Sequence, residues 1–214
     1  MNTDGKRLLV LGATGPTGRL VVQQALDQGF VVTAVARHPA RLGVTHARLR
    51  SIQCDVTVDV KTLVEAVEGQ DVVISALGRG TSLRSDHLIE RSMVNLVPTL
   101  ERHGPKRVVI LSGLGVGDTF GSVPLILRLL FSTLLANIYA DKAAGESLVR
   151  ASGLDWTIVY AAYLTNKPAA GKYTMGEQLP RAGITTVTRA DTATALLACA
   201  ADPSTIRKGL ELRS

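Results

Sequence analysis

Hydrophobic and polar positions along this 214-residue chain alternate between two kinds of segment. Continuous apolar runs at Leu8 to Leu11, Phe30 to Ala36, Asp71 to Leu77, Arg107 to Leu111 and Trp156 to Tyr160 read as strands covered on both faces, which have no polar side to display. Between them lie segments with apolar residues every three or four positions. These predict helices over Arg19 to Gln28, stopped by Gly29, over Val60 to Val67, stopped by Gly69, and over Ser85 to His103. Another strand is expected near Arg48 to Cys54, running out into Asp55-Val56. Strand and helix alternating for over half the chain predict the α/β class, a doubly wound parallel sheet with ligands beyond the carboxyl ends of its strands.

The pattern changes after the fifth strand. Pro124 to Ile138 carries nine large apolar residues in fifteen positions, too short and too interrupted by Arg128 to span a membrane, which takes about 20 residues. It reads as a buried helix, a wall of a substrate pocket, or an interface through which the chain forms an oligomer. The same helix is expected to continue through Tyr139 to Ser152 and to stop at Gly153. Gly171 to Val187 predicts irregular structure with short strands, Arg189 to Ala201 a helix, and Gly209 to Leu212 a last strand. With no repeat or linker in view, residues 1–214 are read as a single domain built on a doubly wound sheet of the Rossmann type. Its small C-terminal, substrate-side region draws on elements within 113–140 and 161–188.

The first strand breaks into Gly12-Ala13-Thr14-Gly15-Pro16-Thr17-Gly18 before the first helical pattern. Glycine at the first position permits a sharp turn, at the second a close approach of backbone to a pyrophosphate, and at the third close packing of helix on sheet. The phosphates would sit at the helix N-terminus, where unpaired N–H groups and the dipole favour anions, with Thr14 and Thr17 adding hydroxyls. An acid at the end of the second strand would select NAD by binding the ribose hydroxyls. Arg37 stands there instead, with Arg41 four residues on, and both suit the extra phosphate of NADP unless they are merely solvated. Asp55 and Val56 would lie near the adenine, although Asp55 equally suits a cap for the following helix. Ala76-Leu77-Gly78 would lie along the ribose and phosphates.

Composition narrows the partners. Apolar residues make up 46% and charged residues 20%, as in ordinary soluble globules, and aromatic residues at 4% are too few for a stacking platform for single-stranded nucleic acid. The net charge of +6 is spread along the chain, which favours anionic small molecules over nucleic acid. Cys54 and Cys199 have no metal spacing and His38, His46, His87 and His103 no partner at ligand spacing, so no metal is expected. Reduced thiols and the absence of a targeting segment at the N-terminus predict a cytoplasmic protein.

The glycine turn, Arg37 and Arg41, Cys-Asp-Val at 54–56, Lys142 with Glu146, Ser-Gly-Leu-Asp-Trp-Thr at 152–157 and Arg189-Ala-Asp together resemble the atypical short-chain dehydrogenase/reductase superfamily. The resemblance is to its NAD(P)H-binding subgroup similar to biliverdin-IXβ reductase and flavin reductase, and covers nearly the whole chain. It implies hydride transfer from NADPH to a flat acceptor such as a flavin, a tetrapyrrole or a quinone. Ser112 occupies the loop that carries a serine in many relatives, with Gly113 where a second serine or threonine is usual. Lys142 matches the cofactor-binding lysine of the superfamily, as a ribose or pocket contact or else a solvated helix lysine. The usual catalytic tyrosine would stand at Ile138; Tyr139 is one step out of register, about 100° around a helix. Tyr163, after Ala162, matches the position of a substrate-side histidine and is either a site residue or a wall tyrosine. Ser112, Lys142 and Tyr163 are therefore the catalytic candidates. A non-catalytic NADP-binding regulator or assembly factor is the alternative that the displaced tyrosine, Gly113 and the apolar 124–138 segment suit.

Overall fold

Each half of the sheet is built by the alternation just described. A computed structural model describes residues 3–78, 86–124, 128–129, 132–133, 135–180 and 183–214. In chain order the elements are β1 (Arg7–Leu11), α1 (Pro16–Asp27), β2 (Val31–Ala36), β3 (Leu49–Gln53), α2 (Val60–Val67), β4 (Val72–Ser75) and α3 (Leu88–His103). There follow β5 (Arg107–Gly113), α4 (Ala136–Ala151), β6 (Asp155–Ala161), β7 (Tyr163–Thr165), β8 (Thr174–Gly176), β9 (Thr186–Thr188), α5 (Arg189–Ala201) and β10 (Lys208–Arg213). The main sheet has the order β3-β2-β1-β4-β5-β6-β10-β8, with β8 antiparallel to β10 and the other pairs parallel, while β7 and β9 form a separate parallel pair. This is the doubly wound α/β architecture that the sequence predicts.

Side chains that alternate along each strand feed two cores. From β1, Leu8 and Val10 join Val21 of α1 and Leu196 of α5 on one face, while Leu9 and Leu11 join Leu63 of α2, Met93 of α3 and Val149 of α4 on the other. All four strand residues are fully buried. Each contributes about 1.5–3 kcal/mol relative to exposure, which is why β1 tolerates no polar position after Arg7. The chain leaves β1 toward β2 on one side and pairs with β4 on the other, so the loops after β1 and β4 part company at the carboxyl edge. That divergence opens a crevice.

Three expectations are corrected by the structure. The helix expected from Pro124 to Ser152 does not run unbroken: α4 begins at Ala136, with Leu135 (φ −108°, ψ 8°) as its N-cap residue. Leu125, Ile126, Leu127, Leu130, Phe131 and Leu134 lie outside the described residues. The helix expected from Ser85 starts at Leu88, after His87 in the left-handed region (φ 55°), and Ser85 too lies outside the described residues. Because His87 supplies no side-chain cap, the N-terminus of α3 takes one from another helix: buried Asp141 accepts from Ile89 N (3.2 Å) and Glu90 N (2.9 Å). Finally, Asp55 does not cap α2. Asp59 does, accepting from Thr62 N at 3.1 Å, while Asp55 is turned back onto Thr57.

Candidate functional site

The glycine turn is held by contacts that leave no room for side chains. Gly12, in the left-handed region (φ +74°), passes the loop after β4 so closely that a Cβ there would lie 2.7 Å from the Ala76 carbonyl oxygen. A Cβ on Gly18 would lie 2.2 Å from the Gly12 carbonyl oxygen. The turn closes through Gly15 N to Gly12 O at 2.9 Å. Pro16 opens α1, where its missing N–H costs nothing, and Gly15 offers no side-chain cap to the first-turn N–H groups, a helix start suited to cradle an anion. Thr17 and Gly18 are buried beneath that turn; Thr17 Oγ1 accepts from Arg189 Nη1 at 3.4 Å and ties α1 to α5.

A cleft of about 200 Å³ continues from this cradle along the carboxyl edge. Gly12, Thr14 and Gly15 form one end, exposed Arg37 and Arg41 the outer lip, Asp55 and Val56 the floor beyond β3, and Ala76, Leu77 and Gly78 the side beyond β4. The structure thus brings together ten of the residues expected from the sequence. It adds His38, Thr57 and, from α3, Leu88 and Ser92. Thr57 Oγ1 donates to Asp55 Oδ1 at 2.7 Å, and this bond first of all holds the Asp55 carboxyl below the ordinary carboxylate range. Ser92 was not foreseen: its hydroxyl is buried with no hydrogen-bond partner among the described residues, and it borders the cleft. A helix interior gives no sequence signal for such a group. The glycine cradle, which side chains at Gly12 and Gly18 would obstruct, and the arginines at the lip fit the phosphates of a dinucleotide.

Ser112 and Lys142 lie at the end of β5, where Ser112, Lys142 and Glu146 line a common pocket. Lys142 and Glu146 are one helical turn apart on α4 and face the sheet together. Lys142 is half-buried, burial pushes its ammonium below the usual range, and Glu146 and Asp141 oppose that shift. A Cβ on Gly113 would stand 3.2 Å from Lys142 Nζ, so a side chain at 113 would press on the end of the lysine. The hydroxyl of Ser112 donates to Glu146 Oε1 at 2.5 Å, and the Tyr160 hydroxyl donates to Glu146 Oε2 at 2.8 Å. Arg150 Nη2 donates to the Tyr160 oxygen at 2.8 Å and pairs with Asp118 at 3.1 Å. Burial raises the Glu146 carboxyl above the ordinary range despite these partners.

The other candidates are placed apart. Tyr139 turns away as its register predicts, its hydroxyl 3.5 Å from the Leu114 carbonyl oxygen and its pKa pushed up by burial to about 12. Ala162 is buried, its N–H donating to Leu212 O at 2.9 Å, and Tyr163 beside it on β7 is 73% exposed. The expectation that no histidine has partners at ligand spacing is corrected at His87: the α3–α4 packing puts ligand atoms of His87, Glu90 and Asp141 within 4.8 Å of one another. Those atoms are already engaged, His87 Nδ1 with Glu90 at 2.9 Å and Asp141 with two backbone N–H groups. Cys54 and Cys199 are unbridged and buried, with thiols pushed up to about 11 by burial. Among the described residues no helix is long and apolar enough to cross a membrane.

A glycine cradle at the point where strand order reverses, continuing into a nucleotide-sized cleft, defines a dinucleotide-binding domain. Residues 12–203 match the model of the NAD(P)H-binding family, and the chain belongs to that family. Among curated proteins it is similar to an uncharacterised chloroplast protein of Arabidopsis thaliana, 30% identical over 79% of this chain and 63% of the other. It is also similar to the photosystem II assembly factor Ycf39 of Synechocystis, 29% identical over 73% of this chain and 44% of that one. The chain therefore spans 63% and 44% of the length of these two relatives. Its fold matches that of a short-chain dehydrogenase/reductase from Veillonella parvula in complex with NADP (TM-score 0.80, 21% identity, 98% and 94% of the two chains). It likewise matches ChuY, an anaerobilin reductase of Escherichia coli (TM-score 0.77, 22% identity, 97% of each chain). At these identities the likeness is one of fold.

Proposed function

We propose that this protein is an NADPH-dependent reductase that transfers hydride to a flat acceptor, such as a flavin, a biliverdin-like tetrapyrrole or a quinone. The observation that carries the reading is the cleft that runs from the glycine cradle past Arg37 and Arg41 to Asp55 and to Ala76, Leu77 and Gly78. Ser112, at the end of β5, and Lys142 of α4 line a second, smaller pocket. In this reading the α1 N-terminus, Gly12, Thr14 and Gly15 take the pyrophosphate, Arg37 and Arg41 the 2′-phosphate, Asp55 and Val56 the adenine, and Ala76 to Gly78 the ribose and phosphates. When bound, the nicotinamide supplies the hydride. Lys142 positions the cofactor beside Ser112, and exposed Tyr163 is the ring on which an acceptor stacks. Reductases are found among the fold neighbours, which supports the reaction class.

The test is reduction by the purified protein, with NADPH and then NADH, of a panel of flavins, biliverdins and quinones. Turnover above a buffer control for one acceptor, faster with NADPH, is expected; no turnover for any of them would refute the reading.

A second reading has one observation of its own. Leu129 stands 65% exposed in the apolar 124–138 segment, and the Synechocystis relative is an assembly factor. A cofactor-binding protein that docks others through that segment would hold NADPH tightly yet reduce nothing.

A further inference from the structure

A hydride acceptor must also take up a proton, and the expected donor is missing. Ile138 stands where the superfamily tyrosine would, and the hydroxyl of Tyr139 is directed at a backbone carbonyl, with burial holding its proton more firmly. Ser112 alone is too weak an acid. Behind it, however, the fold has placed a carboxyl group from 34 residues downstream, 2.5 Å away and buried with it.

We propose that Glu146 supplies, through the hydroxyl of Ser112, the proton that the acceptor takes up together with the hydride. The inference rests on the reductase reading above. With Glu146 in its acid form, its O–H points to Ser112 Oγ, and the hydroxyl proton of Ser112 is turned toward the acceptor. The acid proton passes to Ser112 as the serine proton passes to a nitrogen or oxygen of the acceptor. The hydride supplies the electron pair, NADPH leaves as NADP, and the acceptor gains two hydrogens. Glu146 is left as a carboxylate and regains a proton from water once the product has gone.

The surroundings of Glu146 fit both states. Burial favours the acid before transfer. After transfer the new charge meets the Tyr160 hydroxyl on β6 at 2.8 Å, with Arg150 behind it, and Lys142 one turn away on the same helix. Asp118, beyond Arg150, is exposed, and a Cβ added at Gly117 would lie 3.3 Å from Glu146 Oε2. Glu211, in register with Tyr160 on the adjacent strand, is buried and accepts from Ser122. Burial of a carboxyl among hydrogen-bond donors that tighten only on ionisation is a way of storing a proton near neutral pH.

Glu146→Gln keeps the shape and both hydrogen-bonding positions but has no acidic proton. The expected result is at least a ~100-fold fall in kcat with the NADPH dissociation constant unchanged within about twofold. Wild-type kcat should fall as pH rises through the Glu146 pKa, and this limb should vanish in the variant. Tyr160→Phe removes a donor to the carboxylate, favours the acid, and should move the limb to higher pH. In the cofactor-free protein, the infrared carbonyl band of a protonated carboxyl, absent from Glu146→Gln, should titrate well above the ordinary glutamate value of about 4.3. A band titrating at that ordinary value, or a Gln variant with wild-type rate and pH profile, overturns the proposal alone. A folded wild type that reduces no acceptor overturns the reductase reading and the proposal with it.

Discussion

Replacing Gly18 by alanine sets two opposed effects against each other at the tightest contact of the turn. Gly18 lies in α1, where alanine is the better helix former by about 1 kcal/mol. Its Cβ would, however, lie 2.2 Å from the Gly12 carbonyl oxygen, 2.8 Å from the Gly12 carbonyl carbon and 3.1 Å from Ala13 Cα, all backbone atoms. Backbone cannot swing aside as a lysine end can. Gly12 cannot retreat either, since the Ala76 carbonyl stands on its other side. Overpacking of this kind costs about 3 kcal/mol, at the upper end of its usual range, which leaves a net loss of about 2 kcal/mol. The shift also moves the first-turn N–H groups, so NADPH affinity should fall by about tenfold or more. Urea denaturation and calorimetric titration with NADPH measure the two effects separately. An alanine variant as stable as the wild type, with unchanged affinity, would show that the turn yields freely and that the contact argument is wrong.

Arg37→Ala should weaken NADPH binding by about 10- to 100-fold, the loss of one or two charge-assisted bonds, and leave NADH binding within about twofold; equal losses in parallel titrations would show that Arg37 does not meet the phosphate. Asp141→Ala removes two backbone bonds at the start of α3 and should cost about 1–2 kcal/mol in denaturant unfolding, with faster amide exchange at Ile89 and Glu90. Unchanged exchange at those two amides would contradict the capping role.

What the sequence disclosed and what it withheld divide along a physical line. Periodicity and stop signals placed α2 and α5 at the observed bounds, because Val60–Val67 and Arg189–Ala201 each form between strong local signals. The glycine turn is legible for the same reason: Gly12, Gly15 and Gly18 carry their geometry in their own missing side chains. Contacts between distant segments were not. The Ser112–Glu146 bond, the capping of α3 by Asp141 and the approach of Asp141 to His87 depend on how α4 lies across its neighbours, which no local pattern encodes. The sequence leaves Asp55 between two roles because Asp55 and Asp59 both stand before α2, and only the backbone decides which reaches Thr62. β7 went unread because a strand of three residues leaves too short a pattern.

The position of β10 bears on the order in which the molecule is assembled. It comes from the far end of the chain, yet it lies between β6 and β8, and β8 is joined to the main sheet through it alone among the described residues. The strands that carry the cradle and the arginine lip can pair as they emerge, while β8 must wait for a segment more than 30 residues later. Long-range pairing of this kind is slow because the intervening loop must close first. A partly folded chain would therefore form its glycine-turn half before the neighbouring edge is built, and a bound dinucleotide would stabilise that intermediate.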